Sequence, residues 1–337
     1  YNVPEGSYST DPYNGEVRIK EFKQMVQALH DSGIRVIMDV VYNHTAASAD
    51  SNFNKIVPGY YYRMTNDGKF SNASGCGNET ASERAMVRKF IVDSVVYWAT
   101  EYHIDGFRFD LMGIHDKETM NAVRAALNEI DPGILVYGEG WTAGSSTLAD
   151  SERVLKAAMY SVDSGIAAFS DDIRDGIKGS VFSSTDKGFV TGKEEMEETI
   201  KFGIVASTKH EQIDYSKVRN RTSPWAGEPT QTITYASCHD NLTLWDKIRL
   251  SNPDDDEDTR IKMNMLSGAI VLTSQGIPFF QAGEEFLRSK PLDESGTVFD
   301  ENSYKSSDAV NSLKWDRKAT YSVVYNYYKG LIAFRKA

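Results

Sequence analysis

Between Val17 and Val41 the chain changes its hydrophobic period from that of a helix to that of a buried strand with almost nothing in between. Val17, Ile19, Phe22, Met25, Val26 and Leu29 recur at helical spacing and stop at Gly33, a favoured residue type just past a helix end. Residues 34–41 then run almost continuously apolar and β-branched, which is how a strand buried on both faces of a parallel sheet reads. The junction predicts a helix feeding directly into a central strand.

The same alternation continues. Thr80 and Glu83 have the spacing of a capping box, and Met86, Val87, Phe90, Ile91, Ser94, Val95 and Trp98 follow at helical spacing before a strand over 107–111. Asp116 is placed to cap a helix that ends near Asp131, Pro132 and Gly133, ahead of a strand over 134–137. Further strands are predicted near 165–169 and over 232–237 and 277–281, with helices over 260–274 and 321–335. Six strands in this alternation indicate an α/β fold with a parallel sheet, and no linker or repeat marks a domain boundary inside the chain.

Composition narrows the partners. A chain of 337 residues with a formal net charge of -11 is poorly suited to nucleic acid or an anionic membrane surface, both of which reward clustered Lys and Arg. No apolar run reaches the roughly 18 residues of a membrane span, so membrane insertion is not expected. With only Cys76 and Cys238 there is no disulfide framework and no zinc-type spacing, so any metal would need oxygen ligands, as calcium does. The acidic tract 254–258 reads as a solvated loop, since it lacks the glycine and spacing of a calcium loop. The first residue is Tyr1, and any secretion or surface-anchoring signal would lie upstream of it.

Three predicted strands end in a carboxylate: Gly106-Phe-Arg-Phe-Asp110, Tyr137-Gly-Glu139-Gly-Trp141 and Ser237-Cys-His-Asp240-Asn241. Acid-assisted glycoside cleavage needs an ionised nucleophile, a protonated partner and further negative charge for an oxocarbenium-like transition state. Strand alternation puts Arg108 and Asp110 on one face, and a neighbouring guanidinium keeps an aspartate ionised; a purely structural ion pair explains that segment equally well. Glu139 lies between two glycines, which permit close approach of a ligand, and Trp141 offers a sugar-stacking face and an apolar wall that would raise the acid's pKa. An exposed loop glutamate is the plainer reading of that segment alone. His239 and Asp240, joined by Asn43 and His44 at another strand end, supply imidazoles and amides suited to sugar hydroxyls. Asp39, inside an apolar strand, reads as a hydrogen-bonding support.

Rival chemistries lack their local machinery. No Gly-x-Ser-x-Gly elbow, P-loop, His-Glu-x-x-His or Gly-x-Gly-x-x-Gly opening a helix occurs. Cys238 beside His239 is a poor nucleophile pair, because adjacent strand residues point to opposite faces.

In order and spacing, the segments 39–44, 106–113, 137–141 and 235–241 resemble the signature regions of the α-amylase superfamily, glycoside hydrolase family 13, and within it the type I pullulanases. Segments 1–12, 169–176 and 283–290 resemble them too, so the likeness runs the length of the chain. The resemblance implies a (β/α)8 TIM barrel with Asp110 as nucleophile, Glu139 as general acid/base and Asp240 as the carboxylate that fixes substrate hydroxyls. It implies that Arg108, His44 and His239 line one glucose subsite, and that Asn302, Tyr304, Asp308 and Asn311 belong to a sugar-contacting loop after the eighth strand. The family's first two strands, its stacking-tyrosine motif and its C-terminal β domain have no counterpart here, so the expectation is an incomplete barrel holding the third to eighth strands.

The function expected is retaining hydrolysis of α-1,6 branch linkages in pullulan, starch dextrins or glycogen-derived glucans, with no cofactor required. An α-1,4-acting amylase or neopullulanase is the nearer alternative, and a non-catalytic α-glucan-binding module the more distant one.

Overall fold

The alternation of periods becomes six strands in the computed structural model, which describes residues 1–337: β1 (Ile37–Val40), β2 (Gly106–Phe109), β3 (Leu135–Gly138), β4 (Ile166–Phe169), β5 (Thr232–Thr234) and β6 (Ile277–Pro278). The chain divides into two units, Tyr1–Ala168 and Phe169–Ala337. No helix is long and apolar enough to cross a membrane.

In the first unit β1, β2, β3 and β4 pair in parallel in chain order. The register sets Asp39 beside Arg108 and Arg108 beside Tyr137, so the C-terminal ends of three strands lie level. The helix Gly15–Asp31 is capped by the Asn14 side chain, which accepts from the Glu16 amide, and Gly33 beyond its end has φ +72°, the left-handed conformation glycine takes without strain. The helix Ala85–Glu101 buries Val87, Ile91, Val95 and Trp98, and Lys117–Asn128 buries Met120, Val123 and Leu127. Each such side chain is worth about 1.5 to 3 kcal/mol when fully buried.

Two expectations fail here. The capping box does not form. Thr80 donates its hydroxyl to the Tyr42 carbonyl and Glu83 is held by Arg63, so the helix starts at Ala85 after Arg84 with no side-chain cap. Tertiary partners have outcompeted a local motif worth only about 1 kcal/mol. Nor is β1 buried on both faces: Ile34, Ile37 and Val41 are 53%, 36% and 41% exposed, because within this unit β1 has β2 alone as a strand partner.

In the second unit β5 and β6 pair in parallel, with Ile233 opposite Ile277. Both strands are shorter than the sequence predicts. Pro278 has no amide hydrogen to extend the ladder, which ends one bond later where the Phe279 amide donates to the Thr234 carbonyl at 2.9 Å. The helices Asp171–Lys178, Glu197–Ile204 and Leu244–Ser251, none evident from sequence, pack Ile173, Ile177, Ile200, Leu244 and Ile248 with Ala236 and Val271. The helix Glu257–Thr273 corrects the reading of the acidic tract as a loop: Asp256 accepts from the Thr259 amide as N-cap, and Glu257 and Asp258 fill the first turn, where the helix dipole favours negative charge. The last helix, Ser322–Lys336, adds Val324 and Tyr328 to a cluster with Trp245, Leu272 and Leu287.

Glu284 is a buried carboxyl of this second unit. Glu284 accepts from the Ser237 hydroxyl at 2.5 Å and the Tyr328 hydroxyl at 3.1 Å, tying the chain beyond β5 to the last helix. Burial pushes its pKa up to about 7, against those hydrogen bonds and the Lys178 charge, which pull it down; Glu285 adds to the rise. An acid raised in the fold binds more protons folded than unfolded, so its contribution to stability is present at low pH and is lost as pH climbs through about 7. Glu284→Gln should therefore flatten the decline in unfolding free energy from roughly pH 5 to 8 by on the order of 3 kcal/mol. Parallel pH profiles for parent and variant in chemical denaturation would show that Glu284 does not carry this limb.

Candidate active site

Arg108 stands in β2 with its guanidinium buried at 8% side-chain exposure. Its Nη1 donates to Asp39 Oδ1 at 3.0 Å and to Asp110 Oδ1 at 3.1 Å, and its Nη2 donates to Glu139 Oε1 at 2.7 Å. One planar cation thus joins the ends of β1, β2 and β3. Burial opposes the Arg108 charge, but Glu139, Asp39 and Asp110 outweigh it and hold the guanidinium above its ordinary pKa.

The remaining oxygens are also directed. Asn43 Nδ2 donates to Asp110 Oδ2 and to the Asp110 carbonyl, both at 2.8 Å, and His44 Nδ1 donates to Asn43 Oδ1 at 2.6 Å. Burial lowers the His44 pKa below 6.5, with Asp110 pulling the other way, so the ring favours its neutral form. Asp110 keeps 26% of its side chain exposed and Glu139 only 7%.

Glu139 is held by polar donors that the sequence did not announce. Arg108 reaches one of its oxygens and the Leu111 amide reaches the other at 2.9 Å. Its flanking glycines serve the protein's own backbone: a Cβ on Gly138 would lie 2.4 Å from the Phe109 carbonyl oxygen, and one on Gly140 would lie 2.8 Å from the Lys156 nitrogen. Trp141 presses its main chain against Gly113, where a Cβ would meet the Trp141 carbonyl oxygen at 2.5 Å, and the residue is half-buried.

Two contributors were not legible beforehand. Leu111 takes a left-handed φ of 39°, which turns its amide toward Glu139; nothing in a leucine announces that. Tyr137, in register with Arg108, has its phenol pushed up to about 12 by burial, with Asp39 adding and Arg108 opposing. The alternation of β3 could have flagged it.

The other predicted residues lie in the second unit. His239 and Asp240 are 57% and 56% exposed in their side chains and stand 3.6 Å apart, Nε2 to Oδ1. Lys290 Nζ donates to the His239 carbonyl at 3.3 Å and to the Ser303 hydroxyl at 2.6 Å, fixing this turn to the following loop. In that loop Asn302 donates its amide to Asp300, Tyr304 is 78% exposed, and Asp308 opens a one-turn helix ending at Asn311. The Asn311 side chain donates to the Ser303 and Ser306 carbonyls at 2.6 and 3.1 Å, bracing the loop. Cys238 is half-buried, and burial, with Asp240 beside it, raises its thiol pKa away from the reactive thiolate.

Comparison with known proteins places this geometry. No family model matches the chain. It is similar to the pullulanase of Bacillus subtilis (strain 168), 41% identical over 335 residues, which cover 99% of this chain and 44% of that protein. It is also 39% identical over 359 residues to pullulanase 1, chloroplastic, of Arabidopsis thaliana, covering 93% of this chain and 36% of the relative. Among solved structures, the pullulanase from Paenibacillus barengoltzii in complex with maltohexaose and α-cyclodextrin matches 100% of this chain and 49% of that one, at 48% identity and a TM-score of 0.91. Over almost its whole length the chain is similar to pullulanases. It spans less than half the length of these relatives.

Removing the Arg108 cation should be costly, because it leaves buried negative charge without a partner. Arg108→Met is expected to lower stability by about 3 to 5 kcal/mol near neutral pH, with the loss shrinking on acidification as the carboxylates take protons. Arg108→Lys should recover only part of it, since one ammonium cannot span three carboxylates. Urea unfolding at two pH values measures both; a Met variant as stable as the parent would mean that Arg108 does not balance this cluster.

Proposed function

We propose that this chain carries the catalytic centre of a retaining hydrolase of α-1,6-glucosidic linkages in pullulan, starch dextrins or glycogen-derived glucans. The observation that carries the reading is the single guanidinium of Arg108 bridging Asp110 and Glu139 at the ends of neighbouring strands. Two carboxylates on one planar cation suit the close separation of about 5 to 5.5 Å used by retaining enzymes better than the wider gap that admits a water. Similarity to pullulanases whose structures hold maltooligosaccharides supports an α-glucan substrate.

In the proposed sequence Glu139 gives a proton to the glycosidic oxygen while Asp110 Oδ attacks C1 and the C1–O bond breaks, leaving a glucosyl ester on Asp110. Glu139, now ionised, takes a proton from water as that oxygen attacks C1, and Asp110 departs as carboxylate. Asn43 and Arg108 hold Asp110 on both oxygens, which aims it. The acid step asks more of Glu139: each of its oxygens accepts from one donor, so the proton it delivers is carried on a remaining lone pair. Asp240 and His239, together with His44, would hold sugar hydroxyls, Trp141 would stack on a ring, and the loop bearing Asn302, Tyr304, Asp308 and Asn311 would contact the glucan further along. The chemistry runs on carboxylates and calls for no cofactor.

The accompanying fold reading takes the six strands as the third to eighth of a (β/α)8 barrel. Parallel pairing in chain order and carboxylates at the C-terminal strand ends support it.

Pullulan digestion tests the linkage: α-1,6 cleavage gives maltotriose, whereas panose-type products would mean α-1,4 specificity. Asp110→Asn should abolish turnover, and Glu139→Gln should lower it by about 10² to 10⁴-fold and remove the alkaline limb of the pH profile. Retained anomeric configuration is expected. An inverted product, or a Glu139→Gln variant with its alkaline limb intact on poor leaving groups, would overturn the assignment.

A further inference from the structure

In the second unit a groove of about 360 Å³ opens between the helices Leu244–Ser251 and Glu257–Thr273, the loop around Ser289 to Gly296, and the segment leading into the last helix. Its lining includes four cations, Arg249, Arg260, Lys314 and Arg317, against one carboxylate, Glu257. That is a strong local reversal of sign in a chain whose net charge is -11.

These cations are held in place by neutral groups. Arg260 donates to the carbonyls of Asn252 and Pro253 at 2.9 and 2.6 Å, and Lys314 to the Ala309 carbonyl and the Ser312 hydroxyl at 3.2 and 2.7 Å. Arg317 donates to the carbonyls of Phe286 and Leu287 at 3.4 and 2.7 Å and lies 4.7 Å over the Tyr321 ring. Arg249 stacks 4.9 Å over Phe299 and makes no hydrogen bond, so its forked N–H groups are all left for a ligand. Neutral partners fix the position of a cation without cancelling its charge.

Two negative groups lie nearby, fewer than the four cations, and Arg249 acts electrostatically on one of them, Asp246. Glu257 accepts from the Tyr321 hydroxyl at 3.0 Å, and Asp246, behind the groove, accepts from the Ser289 hydroxyl at 2.5 Å and the Lys290 amide at 2.9 Å. The free fork of the partly buried Arg249, with the remaining donors of Arg260, Arg317 and Lys314 beside it, matches a tetrahedral dianion, which offers three charged oxygens to several donors at once. The volume exceeds what a lone small ion needs and falls at the lower end of small-molecule sites, about 300 to 1,000 Å³.

We propose that this groove is an anion site that takes a phosphomonoester, either on a free sugar phosphate or carried on a glucan. It shares no residue with the carboxylate centre on Arg108 and does not depend on the hydrolytic reading.

Titration calorimetry on the full chain with inorganic phosphate, glucose 6-phosphate, glucose and a phosphorylated maltodextrin tests it. Glucose 6-phosphate should saturate one site that glucose does not fill, with Arg249→Gln weakening it at least about tenfold, the loss expected for a charge-assisted fork. Hydrolysis of unphosphorylated pullulan should be unchanged in that variant. Inorganic phosphate competing at equal affinity would assign the site to free phosphates, and tighter binding of the phosphorylated dextrin would assign it to the glucan; either supports the proposal. Lys314→Ala, at an exposed position, gives a second reading if the arginine variant misfolds. No saturable binding by any of the phosphate compounds, or binding that neither substitution weakens, would overturn it.

Discussion

A guanidinium buried at a strand end dominates the first unit. Taking Arg108 and Glu139 almost wholly out of water costs several kcal/mol per ion, which only near-ideal geometry repays, while Asp39 and Asp110 keep 49% and 26% of their side chains exposed. Arg108 reaches that geometry because the parallel register sets the ends of β1, β2 and β3 level, so that Asp39, Asp110 and Glu139 meet one planar fork. The ion cluster therefore depends on the sheet, and the positions of the carboxylates depend on the ion cluster. Local strain follows from the same demand: Leu111 is left-handed, at a cost of about 1 to 3 kcal/mol, and in return its amide satisfies the second oxygen of Glu139.

The second unit handles its buried acid differently. Glu284 has hydroxyl partners in Ser237 and Tyr328, which are compatible with a proton on the carboxyl, where Glu139 has a full cation. The contrast fits position. Glu284 anchors the segment leading to His239 and Asp240, whose own side chains are more than half exposed and need a firm base. Lys290 adds a second tether by donating to the His239 carbonyl. These exposed groups are thus positioned through the backbone beneath them.

The sequence displayed the strands well because a strand buried in a parallel sheet has little choice of composition, and each carboxylate at a strand end stood out against an apolar run. Asp116 was readable as an N-cap because its partner, the Thr119 amide, is local. Thr80 and Glu83 misled for the opposite reason: their partners, Tyr42 and Arg63, are distant in sequence. The glycines around Glu139 suggested room for a ligand, but the space above Gly138 and Gly140 belongs to Phe109 and Lys156, which only the packed structure reveals. The short helices Asp171–Lys178 and Glu197–Ile204 escaped notice because two turns give too few repeats for a period to register. The basic groove was invisible as well, since its four cations come from separate segments and the overall charge is negative.

The double hold on Glu139 bears on why such a centre persists at all. A buried ion pair is weak evidence of stability, since well-packed apolar residues often do as well or better. What an apolar replacement cannot supply is two carboxylates held at different exposures from one fixed point. Asp110 is partly open to solvent and bound on both oxygens, while Glu139 is almost enclosed and bound by Arg108 and the Leu111 amide. A ligand oxygen arriving at Arg108 or at the Leu111 amide would compete for the same donors and free one oxygen of Glu139. Order in this cluster is therefore of a kind that a competing acceptor can change, because the donors that fix Glu139 are the same groups such an acceptor would meet.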